Sequence, residues 1–77
     1  MTVHEVDARR LLCPMPVIRV QNAVKNAAPG DIISVVCTDP GTMSDIPAWC
    51  RINGHALLRA EKDGNEYFFE VETGNEP

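Results

Sequence analysis

Apolar residues along the chain follow two spacings, one of two residues and one of three to four, and the switches between them mark six elements. Val3 to Ala8 alternates weakly and predicts a short first strand, followed by a connection from Arg9 to Leu12. From Val17 the apolar residues Val17, Val20, Val24, Ala27 and Ala28 fall at helical spacing, while Arg19, Asn22 and Asn26 occupy the opposite face. Pro29 and Gly30 stop this helix. Ile32 to Cys37 is a nearly unbroken β-branched and apolar run, the pattern of a strand with neighbours on both sides.

Asp39-Pro40-Gly41 predicts a turn, and a second helix follows to Asn53, closed by Gly54. Two starts compete for it. Thr42 with Asp45 resembles a capping box but leaves Pro47 where it would remove a helical hydrogen bond, whereas capping by Ser44 puts Pro47 in the first turn. The second choice, a helix from about Ser44, is preferred. Ala56 to Lys62 and Glu66 to Glu72 predict two more strands, joined in a hairpin by the Asp63-Gly64 pair. In the last strand Tyr67, Phe69 and Val71 point one way and Glu66, Glu70 and Glu72 the other, so one face of the sheet is solvated. The order is βαβαββ. It predicts an α/β (α+β) two-layer sandwich, a four-stranded sheet carrying both helices on one face. Residues 1–73 are expected to form one domain and Gly74 to Pro77 a frayed tail.

Composition narrows the function. A chain of 77 residues with 44% hydrophobic and 23% charged residues is an ordinary small globular domain, with neither repeats nor low-complexity segments. Its net charge of -4 opposes a phosphate backbone, so direct nucleic-acid binding is not expected. Met1 to Arg10 has no apolar run of the kind a signal peptide needs, and no segment approaches the ~20 apolar residues that span a bilayer. The expected setting is the cytoplasm, without membrane attachment. Three cysteines cannot all pair within one chain, and Cys13, Cys37 and Cys50 lack the short spacing of a structural zinc site, so neither disulfides nor a metal are expected.

Cys13-Pro14-Met15-Pro16 is the most informative segment. Two prolines this close are both helical only within a first turn, where their missing N–H groups break no intrahelical bond. With Pro14 as the first helical residue, Cys13 is the N-cap and its sulfur lies at the positive end of the helix, with the Met15 N–H as its main uncommitted donor. The thiol is then expected to titrate roughly 0.5–1.5 below the free-cysteine value of ~8.5. Neither a CxxC partner nor a general base is built into the motif. A nucleophile without a base suits transfer between partners better than hydrolysis. Cys37, in a central strand, Cys50, in the second helix, and Trp49 read as packing residues, His55 as a turn residue, and Asp39 and Asp45 as turn and first-turn residues. Arg9, Arg10, Arg19 and Lys25 form either a solvated charged face or a surface on which a partner docks.

From Val6 to about Glu72 the sequence resembles the TusA family of sulfur carriers, also described as SirA-like. The resemblance rests on Asp7, the Cys13-Pro14-Met15-Pro16 signature, Pro29-Gly30, Asp39-Pro40, and Asp45-Ile46-Pro47 followed by Cys50. One departure is Arg10, where many members carry glycine, so the backbone there lacks glycine's freedom at positive φ. The resemblance implies a mixed four-stranded sheet with two helices. It also implies that Cys13 takes sulfane sulfur as a persulfide, its only cofactor, from a cysteine desulfurase or rhodanese and hands it to a downstream relay protein. Such carriers serve transfer RNA thiolation, molybdenum cofactor supply or sulfur oxidation, with no stand-alone turnover. The alternative is a thiol-based regulatory or redox module, whose Cys13 forms a mixed disulfide or sulfenic acid. A monomer with Cys13 at the edge of the helical layer is expected.

Overall fold

A computed structural model describes residues 2–74. The elements run β1 (Val3–Ala8), α1 (Met15–Lys25), β2 (Ile32–Cys37), α2 (Thr42–Asn53), β3 (Ala56–Asp63) and β4 (Glu66–Glu72), in the expected βαβαββ order. The sheet order is β1-β2-β4-β3, with β1 parallel to β2 and the other pairs antiparallel, so the sheet is mixed. The two apolar strands, β2 and β4, take its centre.

Alternation in the central strands decides which face is covered. Ile33, Val35 and Cys37 of β2 stand opposite Val71, Phe69 and Tyr67 of β4, and all six are buried. Val20 of α1 and Ile46 and Cys50 of α2 close over them in one core, which places both helices on that face. Helix α1 rests on β1 and β2, and α2 on β3 and β4. Phe69 is the largest fully buried side chain in this core; its loss to alanine falls in the class costing about 3–5 kcal/mol. The opposite face is polar at its margins, where Arg59 lies 5.8 Å over the Phe68 ring and pairs with Glu61 and Glu70.

Besides the start of α1, three boundaries differ from those read in the sequence. Helix α1 ends at Lys25, because the Asn26 and Ala27 N–H groups bond three residues back, to Ala23 and Val24, and tighten the last turn before Ala28. Helix α2 begins at Thr42 with Gly41 as N-cap, so Ser44 is not the cap and Pro47 lies inside the helix. The Asp39-Pro40-Gly41 turn explains this start: Asp39 O accepts from both the Thr42 N–H and the Thr42 hydroxyl, and the turn runs directly into helical geometry. In the β3–β4 hairpin, Asp63 pairs with Glu66, so Gly64 and Asn65 form the loop and Asp63 belongs to the strand. A register shift between Leu57 and Arg59 leaves Leu58 exposed.

Cys37 and Cys50 are buried and Trp49 packs against the core, as read. His55 does more than turn the chain. Its ring stacks on Trp49, with centroids 5.0 Å apart, and its Nδ1 accepts from the Gly74 N–H at 2.8 Å. A Cβ at Gly74 would collide with the Gly54 carbonyl, so only glycine fits there. Of the expected tail, Gly74 is thus held in place, and residues 75–77 lie outside the described residues.

Candidate functional site

Parallel pairing of β1 and β2 builds the site. Ala8 pairs with Cys37, so the two strands end together and the loops that follow them start side by side. In open sheets with helical crossovers, the carboxyl ends of parallel strands are where ligands meet protein. Two hydrogen bonds fasten the loops to each other. The Arg10 N–H donates to Thr38 Oγ1 at 2.8 Å, and the Cys13 N–H donates to Asp39 Oδ2 at 2.9 Å. Asp39 Oδ1 meanwhile accepts from the Gly41 N–H, so one carboxylate braces both loops. Arg10 adopts a φ of 66°, the left-handed conformation that glycine takes most easily, and so keeps the turn despite its side chain.

The prolines lie where expected, within the first turn of α1, but the helix begins one residue later than read. Pro14 is the N-cap residue, Met15 the first helical residue and Pro16 the second, with the Cys13–Pro14 peptide cis. Cys13 therefore precedes the cap. Nor is the Met15 N–H available to the sulfur, since it donates to Leu12 O at 2.9 Å.

What meets the sulfur instead comes from α2. The Cys13 thiol donates to Asp45 Oδ2 at 2.6 Å, and its Sγ lies 3.5 Å from the position a Cβ would take on Gly41, the N-cap of α2. Cys13 thus stands where the N-termini of both helices converge. Helix ends favour a thiolate by about 0.3–1 kcal/mol. Like charges at 4 Å repel by about 1 kcal/mol in bulk water and about 4 at an effective dielectric of 20. Cys13 is half-buried, so the lower part of that range applies, and the carboxylate still matches the helix end before its hydrogen bond to the thiol proton is added. The balance goes against the expectation of a depressed pKa. Asp45 foremost, then burial and Asp39, push the Cys13 thiol up to about 12. Asp39 is in turn held below the usual carboxylate range, chiefly by the Cys13 N–H. Burial alone pushes Cys50 to about 11, and it is the main cause of the same rise at Cys37.

The basic residues gather beside this site rather than on the sulfur. Arg9, Arg10 and Arg19 line a cavity of about 470 Å³ together with Asp7, Leu11, Thr38, Asn65 and Glu66, and Cys13 is not in its wall. Arg9 is committed to Asp7, through contacts of 2.9 and 3.0 Å, and to Glu66 at 3.5 Å. Lys25 closes α1, about 15 Å from Met15 along the axis at 1.5 Å per residue. Apart from Asp45, the adjoining segments expose apolar side chains: Leu12 is 76% exposed and Met15 41%, with Ile18 and Met43 also open to solvent.

Sequence reasoning missed Asp39 and Asp45 as neighbours of the thiol. The signal was present in the βαβ order: a parallel β1–β2 pair must bring the loop after Cys37 beside the loop that ends in Cys13. Among the described residues, no group of three or more His, Cys, Asp or Glu side chains is placed to hold a metal ion, and no helix is long and apolar enough to cross a membrane.

Comparison with known proteins agrees with this architecture. The sequence matches the family described as "Sulfurtransferase TusA" over residues 4–73. Among solved structures, the crystal structure of a SirA-like protein from Desulfitobacterium hafniense is similar, with a TM-score of 0.80 over 96% of this chain and all of that chain. The identity is 21%, so the likeness is one of fold.

Proposed function

Because the chain belongs to the TusA sulfurtransferase family, we propose that Cys13 is its sulfur-bearing residue, taking a sulfane sulfur as a persulfide and passing it to an acceptor thiol on another protein. The observation that carries this reading is the placement of the three thiols. Cys37 and Cys50 are enclosed in the core, whereas Cys13 is only half-buried, on loops braced by Asp39, with exposed apolar side chains in the adjoining segments. A sulfur atom handed between proteins must come within bonding distance of a second thiol, and only Cys13 has the access for it.

The donor would be a cysteine desulfurase or rhodanese, and the acceptor a further member of a sulfur relay serving transfer RNA thiolation, molybdenum cofactor supply or sulfur oxidation. Docking would cover the apolar rim of Leu12, Met15, Ile18 and Met43 and reach the cavity where Arg10 and Arg19 lie. The redox-module reading is weakened by Asp45. Oxidation to sulfenic acid follows thiolate character, and a thiol hydrogen-bonded to a carboxylate is kept protonated.

Incubation with a cysteine desulfurase and cysteine, followed by peptide mass spectrometry, tests the proposal. One added sulfur on the Cys13 peptide, absent from Cys13→Ser, is the expected result. Loading that persists in Cys13→Ser would move the site, and a disulfide or oxygen adduct in place of added sulfur would favour the redox module.

A further inference from the structure

Persulfide transfer between thiols poses a proton problem. The attacking sulfur begins as a thiol and must lose its proton, while the departing sulfur leaves as a thiolate and must gain one. Thiolates with a high pKa are poor leaving groups, so each direction of transfer needs a proton at the right moment. In this chain Asp45 Oδ2 lies 2.6 Å from Cys13 Sγ and accepts its hydrogen bond. Asp45 is itself exposed, sits in the first turn of α2, and among the described residues has no ion-pair partner.

Resting on the assignment of Cys13 as the sulfur-bearing residue, we propose that Asp45 is a second catalytic residue, a proton shuttle between the attacking and departing sulfur atoms. In loading, the Cys13 thiol gives its proton to the Asp45 carboxylate as its sulfur bonds to the outer sulfur of the donor persulfide. The donor's S–S bond breaks, the outer sulfur keeps its own hydrogen, and the departing thiolate takes the proton from Asp45. Unloading is the reverse: an acceptor thiol gives its proton to Asp45 and bonds to the outer sulfur, and the departing Cys13 thiolate recovers the proton. No electrons are gained or lost overall and no co-reactant is consumed.

Charge argues for this route over loss of the proton to water. Ionising Cys13 into solvent would leave a thiolate and a carboxylate in contact, two negative charges 2.6 Å apart. Transfer to Asp45 keeps the pair at a single negative charge throughout. Asp39 is unsuited to the task, because its carboxylate is already engaged by the Cys13 and Gly41 N–H groups and braces the loops. General acid–base groups that touch the reacting proton contribute about 10²–10⁴-fold, so the effect should be large enough to measure.

Asp45→Asn separates the two things the carboxylate does. Removing its charge lowers the Cys13 midpoint, so alkylation by iodoacetamide, whose departing iodide needs no proton, should become faster at neutral pH. Loading from glutathione persulfide, a donor too small for protein docking to matter, should become at least tenfold slower, with the deficit largest at low pH and shrinking as pH rises. Asp45→Glu, which restores a carboxylate, should recover part of the loading rate. If Asp45→Asn loads faster in step with its alkylation, the carboxylate is only a brake on the thiol and the shuttle is overturned. A loading deficit of the same size at every pH, unrelieved in Asp45→Glu, would indicate a merely structural role and overturn it equally. Failure of the unsubstituted protein to load at all would overturn the carrier assignment itself, and the shuttle with it.

Discussion

Two aspartates at opposite ends of the sheet show how one residue type does different work according to what it faces. Asp31, at the start of β2, accepts from the Thr2 N–H, the Ala28 N–H and the His4 ring at 3.1, 3.0 and 2.9 Å. Every partner donates to the carboxylate, and together, with His4 the largest cause, they hold it at about 2. Asp45, beyond the other end of β2, faces a single acidic hydrogen, that of Cys13. At one end the carboxylate is held ionised by fixed donors and fastens the chain; at the other it shares a labile proton and raises the pKa of its neighbour. A fixed donor makes an aspartate a clamp, and a titratable one ties it to the protonation of its neighbour.

The comparison is sharpest in Asp45→Asn, which should move the Cys13 midpoint down from about 12, since Asp45 is the largest cause of its rise, while leaving the melting temperature nearly unchanged, since Asp45 is exposed. Alkylation of the Cys13 peptide against pH measures the first, and calorimetry the second. Asp31→Asn should do the converse, lowering the melting temperature by roughly 5–10 °C with sulfur loading intact. Equal melting temperatures for the two variants would break the contrast.

Acid unfolding gives the next effect. The folded pKa of Asp31 lies below its unfolded value of 3.8, so the unfolded chain binds more protons between the two, and stability rises with pH through that window. Its contribution is fully present above about 4 and lost as pH falls through about 2. Asp7, held at about 2 chiefly by Arg9, acts in the same window and is more exposed, so its share should be smaller. In Asp31→Asn the acid limb of a stability–pH curve should flatten more than in Asp7→Asn. The smallest effect concerns steering. Arg19→Glu should slow transfer from a protein donor at low salt and less at high salt, and Lys25→Glu, about 9 Å further along α1, should do so less than Arg19→Glu.

The fold was legible because the unbroken β-branched run of β2, the alternation in β4 and the helical spacing of Val17, Val20 and Val24 each point to one kind of element. Cys13 was legible because paired prolines restrict what the segment around it can be. What escaped was long-range. The sign of the Cys13 shift depends on Asp45, which is 32 residues away in sequence and arrives only through the β1–β2 pairing. The start of α2 escaped for a related reason: an internal proline argued against Thr42, while the Asp39 turn, whose carbonyl receives both Thr42 donors, argued more strongly for it. Arg10 was flagged as an odd substitute for glycine, and its positive φ shows that the loop imposes the conformation and the side chain tolerates it.

The Thr73 and Gly74 contacts carry a consequence of their own. Thr73 bonds to Ala28 and Asp31, Gly74 to His55, and Thr2 to Asp31, so both ends of the domain are secured at the pole where β2 begins. The thiol lies beyond the pole where β2 ends, about 20 Å away for a six-residue strand. A second domain fused at either end, or a surface tether attached there, would leave the pole that carries Cys13 unobstructed, which makes this fold suited to being carried as a module within a larger polypeptide.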